Sequence, residues 1–173
     1  MPRCALAVLL IVLAAAPAFA EPPTGFSEFT WGTSPDVLRE KFVPVRCRAT
    51  SESRNVWYSL VCRDYVVEGL NIPSLRLDFE PADSLAGYHM VLSRGSYRAF
   101  RDLVLRRFGP PTTSRRWAFG SGAQMWWTWN GVSATLIEKC DEELSCVEVR
   151  TTALDRRIEQ IRERERRDSA QSF

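Results

Sequence analysis

Between Tyr97 and Phe108 the apolar residues Tyr97, Phe100, Leu103, Val104 and Phe108 recur every three or four positions, with Arg98, Arg101, Asp102 and Arg106 between them. That period puts the apolar set on one face of a helix. Ser96 stands where an N-cap belongs, and Gly109-Pro110-Pro111 stops the pattern. A shorter helix is expected after Ser34, which can cap it. Pro35 suits the first helical position, Asp36 the positive helix end, and Val37, Leu38 and Phe42 form a narrow stripe that Pro44 terminates. Leu154 to Arg167 reads as a third helix with only Leu154, Ile158 and Ile161 on its apolar line, and with Glu163 four residues before Arg167.

Elsewhere the pattern shortens to alternation, the mark of strands. After a flexible lead at Glu21 to Thr24, Phe26 to Trp31 is extended. Val43 to Ala49 and Val56 to Cys62 form a hairpin around the polar Ser51 to Asn55. Tyr65 to Leu70, Leu75 to Phe79 and Tyr88 to Leu92 read as strands separated by Pro73 and by Pro81 to Ser84. A strand near Arg116 to Phe119 and a turn at Gly120-Ser121-Gly122 precede a hairpin closed by Asn130-Gly131, the type I′ signature. That turn pairs Trp129 with Val132, Trp127 with Ala134 and Met125 with Leu136 on an apolar face. Gln124, Trp126 and Thr128 oppose Ile137, Thr135 and Ser133 on a half-polar one. Cys146 to Thr152 completes the sheet. The expected fold is α+β: one domain over residues 21–152, an antiparallel sheet of hairpins with two short helices on one face, followed by a charged helical tail over 153–173. The run Trp31 to Phe42 faintly echoes Ser93 to Phe108, as if two helix-then-sheet units shared one sheet.

The first twenty residues follow another grammar. Arg3, the apolar run Ala5 to Ala16, Pro17 and the small-residue ending Ala18-Phe19-Ala20 read as a cleavable export signal, so the mature chain begins at Glu21. The run is too short for a comfortable bilayer span, and no membrane span is expected after cleavage. Cys4 precedes the apolar core, the wrong place for a lipidated cysteine. Localisation is therefore periplasmic or secreted.

Export changes the meaning of the cysteines. Four of the five follow the signal, and in an oxidising compartment an even number points to disulfides. A hairpin register centred on Arg54 and Asn55 sets Cys47 opposite Cys62, within disulfide reach. Cys140 and Cys146 would close the loop Asp141 to Ser145. Neither pair has zinc-knuckle spacing and no C-x-x-C is present, so no metal and no cofactor is expected. With 23 basic and 21 acidic residues, charge is nearly balanced, which argues against nucleic acid as a partner.

The opening Phe29-Thr30-Trp31-Gly32-Thr33-Ser34-Pro35, and the later Tyr97, Leu103 and Arg107-Phe108-Gly109-Pro110 helix exit, resemble small exported bacterial proteins of uncharacterised families that share a Trp-Gly-x-Ser opening. Those are loosely similar to envelope-assembly lipoproteins and to β-lactamase-inhibitor-like domains. The resemblance implies helices packed on an antiparallel sheet and transfers no catalytic residue.

Candidate chemistry is sparse. His89, the single histidine, lies in an expected strand with no nucleophile beside it in sequence. Asp141-Glu142-Glu143 lacks the spacing of a calcium loop, and Gly120-Ser121-Gly122 is too short for a phosphate loop. Arg106, Arg107, Arg115 and Arg116 flank the proline turn and form either a solvated face or a basic patch able to hold an acidic group. Trp126 is either covered by a helix or the C-terminal segment, or an exposed binding anchor. The expected function is that of an exported non-catalytic protein of the bacterial cell envelope that contacts a protein partner through its sheet face or its C-terminal helix, with Trp126 and these arginines as candidate contacts. The alternatives are an inhibitor of a secreted enzyme and a small hydrolase using His89.

Overall fold

The computed structural model describes residues 21–42, 46–51, 58–80, 84–117 and 122–171. A small hairpin of β1 (Gly25–Phe26) and β2 (Phe29–Thr30) leads into helix α1 (Pro35–Phe42) and the strands β3 (Arg46–Ser51), β4 (Tyr58–Val67), β5 (Leu70–Glu80) and β6 (Ser84–Ser93). Helix α2 (Tyr97–Phe108) then opens a second run of strands, β7 (Thr113–Arg116), β8 (Ala123–Trp129), β9 (Val132–Asp141) and β10 (Leu144–Thr151), and α3 (Thr152–Gln171) follows. The eight longer strands make one antiparallel sheet in the order β3-β4-β5-β6-β10-β9-β8-β7. Each half is thus a helix followed by a four-stranded meander, and the last strands of the two meanders, β6 and β10, pair at the centre. This is the α+β architecture the echo suggested.

Local signals set much of the register. Cys47 pairs with Cys62 across β3 and β4, and a disulfide joins them with Cα atoms 3.9 Å apart. Trp129 pairs with Val132, Trp127 with Ala134 and Met125 with Leu136. The turn differs from expectation in one respect. Only Gly131 takes a positive φ, 85°, so it is not type I′, which needs both central residues there. The true two-residue turn of that kind is Glu68-Gly69, with φ 47° and 80°, between Val67 and Leu70.

Strand boundaries also move. The expected strand Tyr65 to Leu70 is broken by that turn, Tyr65 to Val67 ending β4 and Leu70 opening β5. β5 runs through Pro73, because neither Pro73 nor Asp64 opposite it is a ladder pair, so the missing N–H leaves no partner wanting, and the register resumes unchanged beyond it. β7 lies earlier than Arg116 to Phe119, starting two residues past the double proline. Residues 118–121 lie outside the described residues. So do residues 1–20, where a signal is expected, Pro44, all but Ser51 of the expected turn Ser51 to Asn55, and 81–83.

The inner face of the sheet carries the core. Leu75 and Leu77 of β5, Tyr88 and Met90 of β6, Val147 and Val149 of β10 and Leu136 of β9 are all buried there. The five α2 residues expected on its apolar face, Tyr97, Phe100, Leu103, Val104 and Phe108, pack onto them. Ser96 does not cap α2. A 3₁₀ turn at Arg94–Ser96 runs straight into the helix, so Ser96 already has helical dihedrals, and its hydroxyl meets that of Ser93 at 3.1 Å. Gly109 ends the helix at φ 69°, and its carbonyl accepts the indole N–H of the buried Trp127 at 3.0 Å. The Trp31-Gly32-Thr33 segment is zipped to the sheet: Gly32 N–H donates to Leu85 O and Leu85 N–H to Thr33 O, both at 2.9 Å.

Helix α3 lies on the other face. Leu154, Ile158 and Ile161 are buried, the first two in a small cluster with Ala86, and Leu154 covers Gly87 so closely that a Cβ there would meet its Cδ2 at 2.7 Å. Charges complete the attachment. Asp155 pairs with Arg150 at 3.6 Å and accepts from Ser133 at 2.9 Å. Arg150 also pairs with Glu148, which faces Arg76, and Arg76 in turn meets Asp78, the acceptor of the buried Ser59 hydroxyl. The expected tail is therefore a docked helix over its first turns. From Arg162 to Ala170 every residue is exposed.

Candidate functional site

The structure divides the four arginines of the expected basic patch into two pairs. Arg115 and Arg116 lie on β7, which ends the sheet, pairs only with β8 among the described residues, and has every residue exposed. Trp117 follows directly. It is 42% exposed, and the Arg115 guanidinium sits over its ring at 3.9 Å, a cation–π arrangement. Trp126 lies one strand in, opposite Thr113 on β7 and Thr135 on β9. It is partly buried, between the two alternatives its sequence position left open. Trp117 escaped the sequence reading because it was counted into a strand; the shift of β7 leaves it at the strand's end.

Arg106 and Arg107 sit elsewhere, at the exit of α2. Arg107 donates to one Glu68 oxygen at 2.8 Å, and Arg106 lies 3.7 Å from the other. This cluster borders a cavity of about 520 Å³ between α2 and the inner sheet face. Its floor is Tyr88, Met90 and Val147, and α2 supplies Phe100, Leu103, Val104 and Phe108. The Glu21–Ser27 lead and the end of the β4–β5 hairpin close its sides. Tyr88 is held between rings, 4.9 Å from Phe26 and 6.2 Å from Trp31, and burial pushes its phenol above the ordinary range against the opposing pull of Arg107. The Trp31 indole N–H donates to Pro23 O at 2.8 Å, which fixes the lead along the rim. Five segments far apart in sequence make this cavity, so no local pattern announced it.

His89 faces the outer side of β6, between Arg76 of β5 and Glu148 of β10. Burial, then the adjacent Arg76, lowers its pKa to about 4 against the pull of Asp78. The imidazole is therefore neutral near pH 7, and its basicity is well below that of a tuned general base. Burial raises the Glu148 carboxyl, with Arg150 and Arg76 opposing.

Cys140 and Cys146, expected to form a second disulfide, are free thiols, Cys140 exposed and Cys146 buried. A register irregularity between Leu144 and Cys146 sets Cys146 against Ile137, so the two cysteines are not a cross-strand pair, although their thiols are near enough to interact. Burial, then a hydrogen bond with Cys140, raises the Cys146 thiol, which keeps it protonated. The Asp141 carboxylate accepts the Glu142 N–H at 2.7 Å within an exposed turn. Among the described residues no three His, Cys, Asp or Glu side chains converge as metal ligands, and no helix is long and apolar enough to cross a membrane. Comparison with protein-family models, curated proteins and solved structures finds no match to this chain.

Proposed function

We propose that the protein is exported and acts without catalysis, by binding a protein partner along the free β7 edge. The observation that carries this reading is Trp117, a large aromatic exposed at the end of an edge strand that pairs on one side only among the described residues, and stacked under Arg115. Tryptophan and arginine dominate the energetics of protein interfaces, and an edge strand offers main-chain groups for a partner strand to join. Arg116 adds charge, and Trp126 extends the surface inward from the edge. Export is supported by the signal-like first twenty residues and by the Cys47–Cys62 disulfide, a bond that persists in the periplasm or outside the cell.

The test is a photo-crosslinking residue at position 117 in exported protein within living cells, with the same residue at exposed Val37 as control. A discrete adduct from position 117 alone supports the edge as the contact. No adduct from folded, exported protein overturns it. If the captured partner is a secreted enzyme, stoichiometric loss of its activity identifies an inhibitor.

A further inference from the structure

We infer that the partner of the β7 edge is an extended segment with two consecutive acidic residues, which joins the eight-stranded sheet as a further strand. The inference rests on the edge reading above and names what that edge accepts. One hydrogen bond shows which main-chain groups are available: the Trp117 N–H donates to Gly122 O at 3.0 Å, toward β8. In an antiparallel ladder that direction alternates with each residue, so Arg115 and Thr113, opposite Gln124 and Trp126, also turn their main-chain groups toward β8. Ser114 and Arg116 turn theirs outward, where no strand of the described residues lies. Their N–H and C=O groups are what a partner strand can join.

The side chains alternate too, and they choose the partner. Arg115 and Trp117 lie on one face of the sheet. Arg116, opposite Ala123, lies on the other, the face of Met125 and Trp127. β8 carries no charged residue, and the first acidic residue met inward across the strands is Glu138 of β9. The two outermost strands of this edge therefore present positive charge alone. A strand laid on β7 meets one arginine on each face at consecutive positions, and acids at two consecutive positions answer both. Arg115 is placed for this. Its guanidinium sits over the Trp117 ring at 3.9 Å, and a guanidinium stacked by its face keeps its in-plane N–H donors for a carboxylate. A second copy of the chain would bring the arginines of both copies into one short ladder, where facing like charges destabilise the pairing. An uncharged segment would gain the main-chain bonds only.

Three labelled hexapeptides, titrated into the purified exported protein and followed by fluorescence anisotropy, test the assignment. They are Val-Asp-Glu-Thr-Val-Thr and its counterparts with Gln-Gln or Lys-Arg in place of Asp-Glu. Laid antiparallel, the first sets Val beside Trp117, Asp opposite Arg116 and Glu opposite Arg115. It is expected to bind about fivefold more tightly than the glutamine peptide, the size of two exposed ion pairs, and the basic peptide more weakly than either. In salt of about 1 M, where charges are screened within about 3 Å, the three should converge. Arg115→Gln combined with Arg116→Gln should erase the preference and leave the glutamine peptide unchanged. Ser114→Pro removes an outward N–H and none that β8 uses, so it should abolish binding of all three. The inference is overturned by equal affinities, by absence of acidic-peptide binding to folded protein, by a preference that survives the double substitution, or by binding that survives Ser114→Pro. Equal affinities that Ser114→Pro abolishes would leave the edge reading standing without its acidic partner, whereas the edge reading itself falls with the crosslink at position 117. A dimer in sedimentation of the protein alone, dissociated by Ser114→Pro, would give the edge to a second copy and overturn the acidic assignment as well.

Discussion

The two halves of the chain share a topology and hold it together differently. The first, α1 with β3 to β6, has a short helix from which Leu38 is the fully buried hydrophobic among the described side chains, and its outermost strand pair is stapled by Cys47–Cys62. The second, α2 with β7 to β10, lays five buried side chains of a longer helix on the sheet. In place of a staple it has Phe108 packed edge-on against Trp127 and Trp129 at 5.8 and 5.5 Å. Its two cysteines remain thiols. A meander with ample helix cover is held by aromatic burial; one with little cover gains from a covalent tie that restricts the unfolded chain.

The contrast predicts which substitution costs most. Phe100→Ala empties the centre of the second half's helix contact, where Phe100 is fully buried, and should destabilise by about 3 to 5 kcal/mol in urea unfolding. Were Leu38→Ala to cost more, the first half's helix would be the stronger one and the contrast would fail. Next in size is the staple. Replacing Cys47 and Cys62 together by Ala should cost about 3 kcal/mol, as expected for closing a loop of 15 residues. The paired Cys140→Ala, Cys146→Ala variant should respond to reductant as the parent does, losing the same increment. Thiol titration of the denatured, unreduced chain from Glu21 onward should find two free groups; none would mean the second half is stapled as well.

What could be read in the sequence was what neighbours decide. The α2 face, the Asn130-Gly131 register and the Cys47–Cys62 pairing each rest on spacings within one element or one hairpin, and each survived folding. What could not be read depends on partners far along the chain. The pairing of β6 with β10 joins residues 87–93 to 144–150, and both the charged network on the outer face and the cavity under α2 follow from it. Glu68-Gly69 went unread because glutamate carries no turn signal, although its φ of 47° makes one. The candidate arginines were adjacent in sequence across the proline turn, yet the change of direction at Gly109 sends one pair to the cavity rim and the other to the sheet edge.

The seam between the halves can be tested by pH. His89 of β6 faces Glu148 of β10, and its pKa is lowered from 6.5 to about 4, chiefly by burial. Between those values the unfolded chain holds a proton that the folded chain does not. The contribution of His89 is therefore complete above pH 6.5 and is lost as pH falls toward 4, a change on the order of 2 to 3 kcal/mol. Glu148 has the opposite sign, since its raised carboxyl favours the folded state below its ordinary 4.5 and loses that favour as pH rises. His89→Gln should flatten the stability curve between pH 6.5 and 4 relative to the parent. Parallel curves would show that the seam is open to water and that the histidine is not held neutral.

The smallest effect is expected where the second half carries something the first lacks. Helix α3 begins at the seam, with its Thr152 N–H donating to Gly131 O at 2.8 Å and Leu154 seated over Gly87 of β6. Its apolar line ends at Ile161. In the outer turns the exposed ion pairs Glu159–Arg166 and Glu163–Arg167 join residues of the helix to one another, and pairs of that kind contribute little to the stability of a fold. A chain ending at Arg162 should therefore melt at the same temperature as the parent within measurement error, while Leu154→Ala lowers it by several degrees. A clear drop on truncation would mean that the outer turns of α3 rest against something in solution, and the first experiment on it would be sedimentation of the intact protein to ask whether that surface is a second copy of the chain.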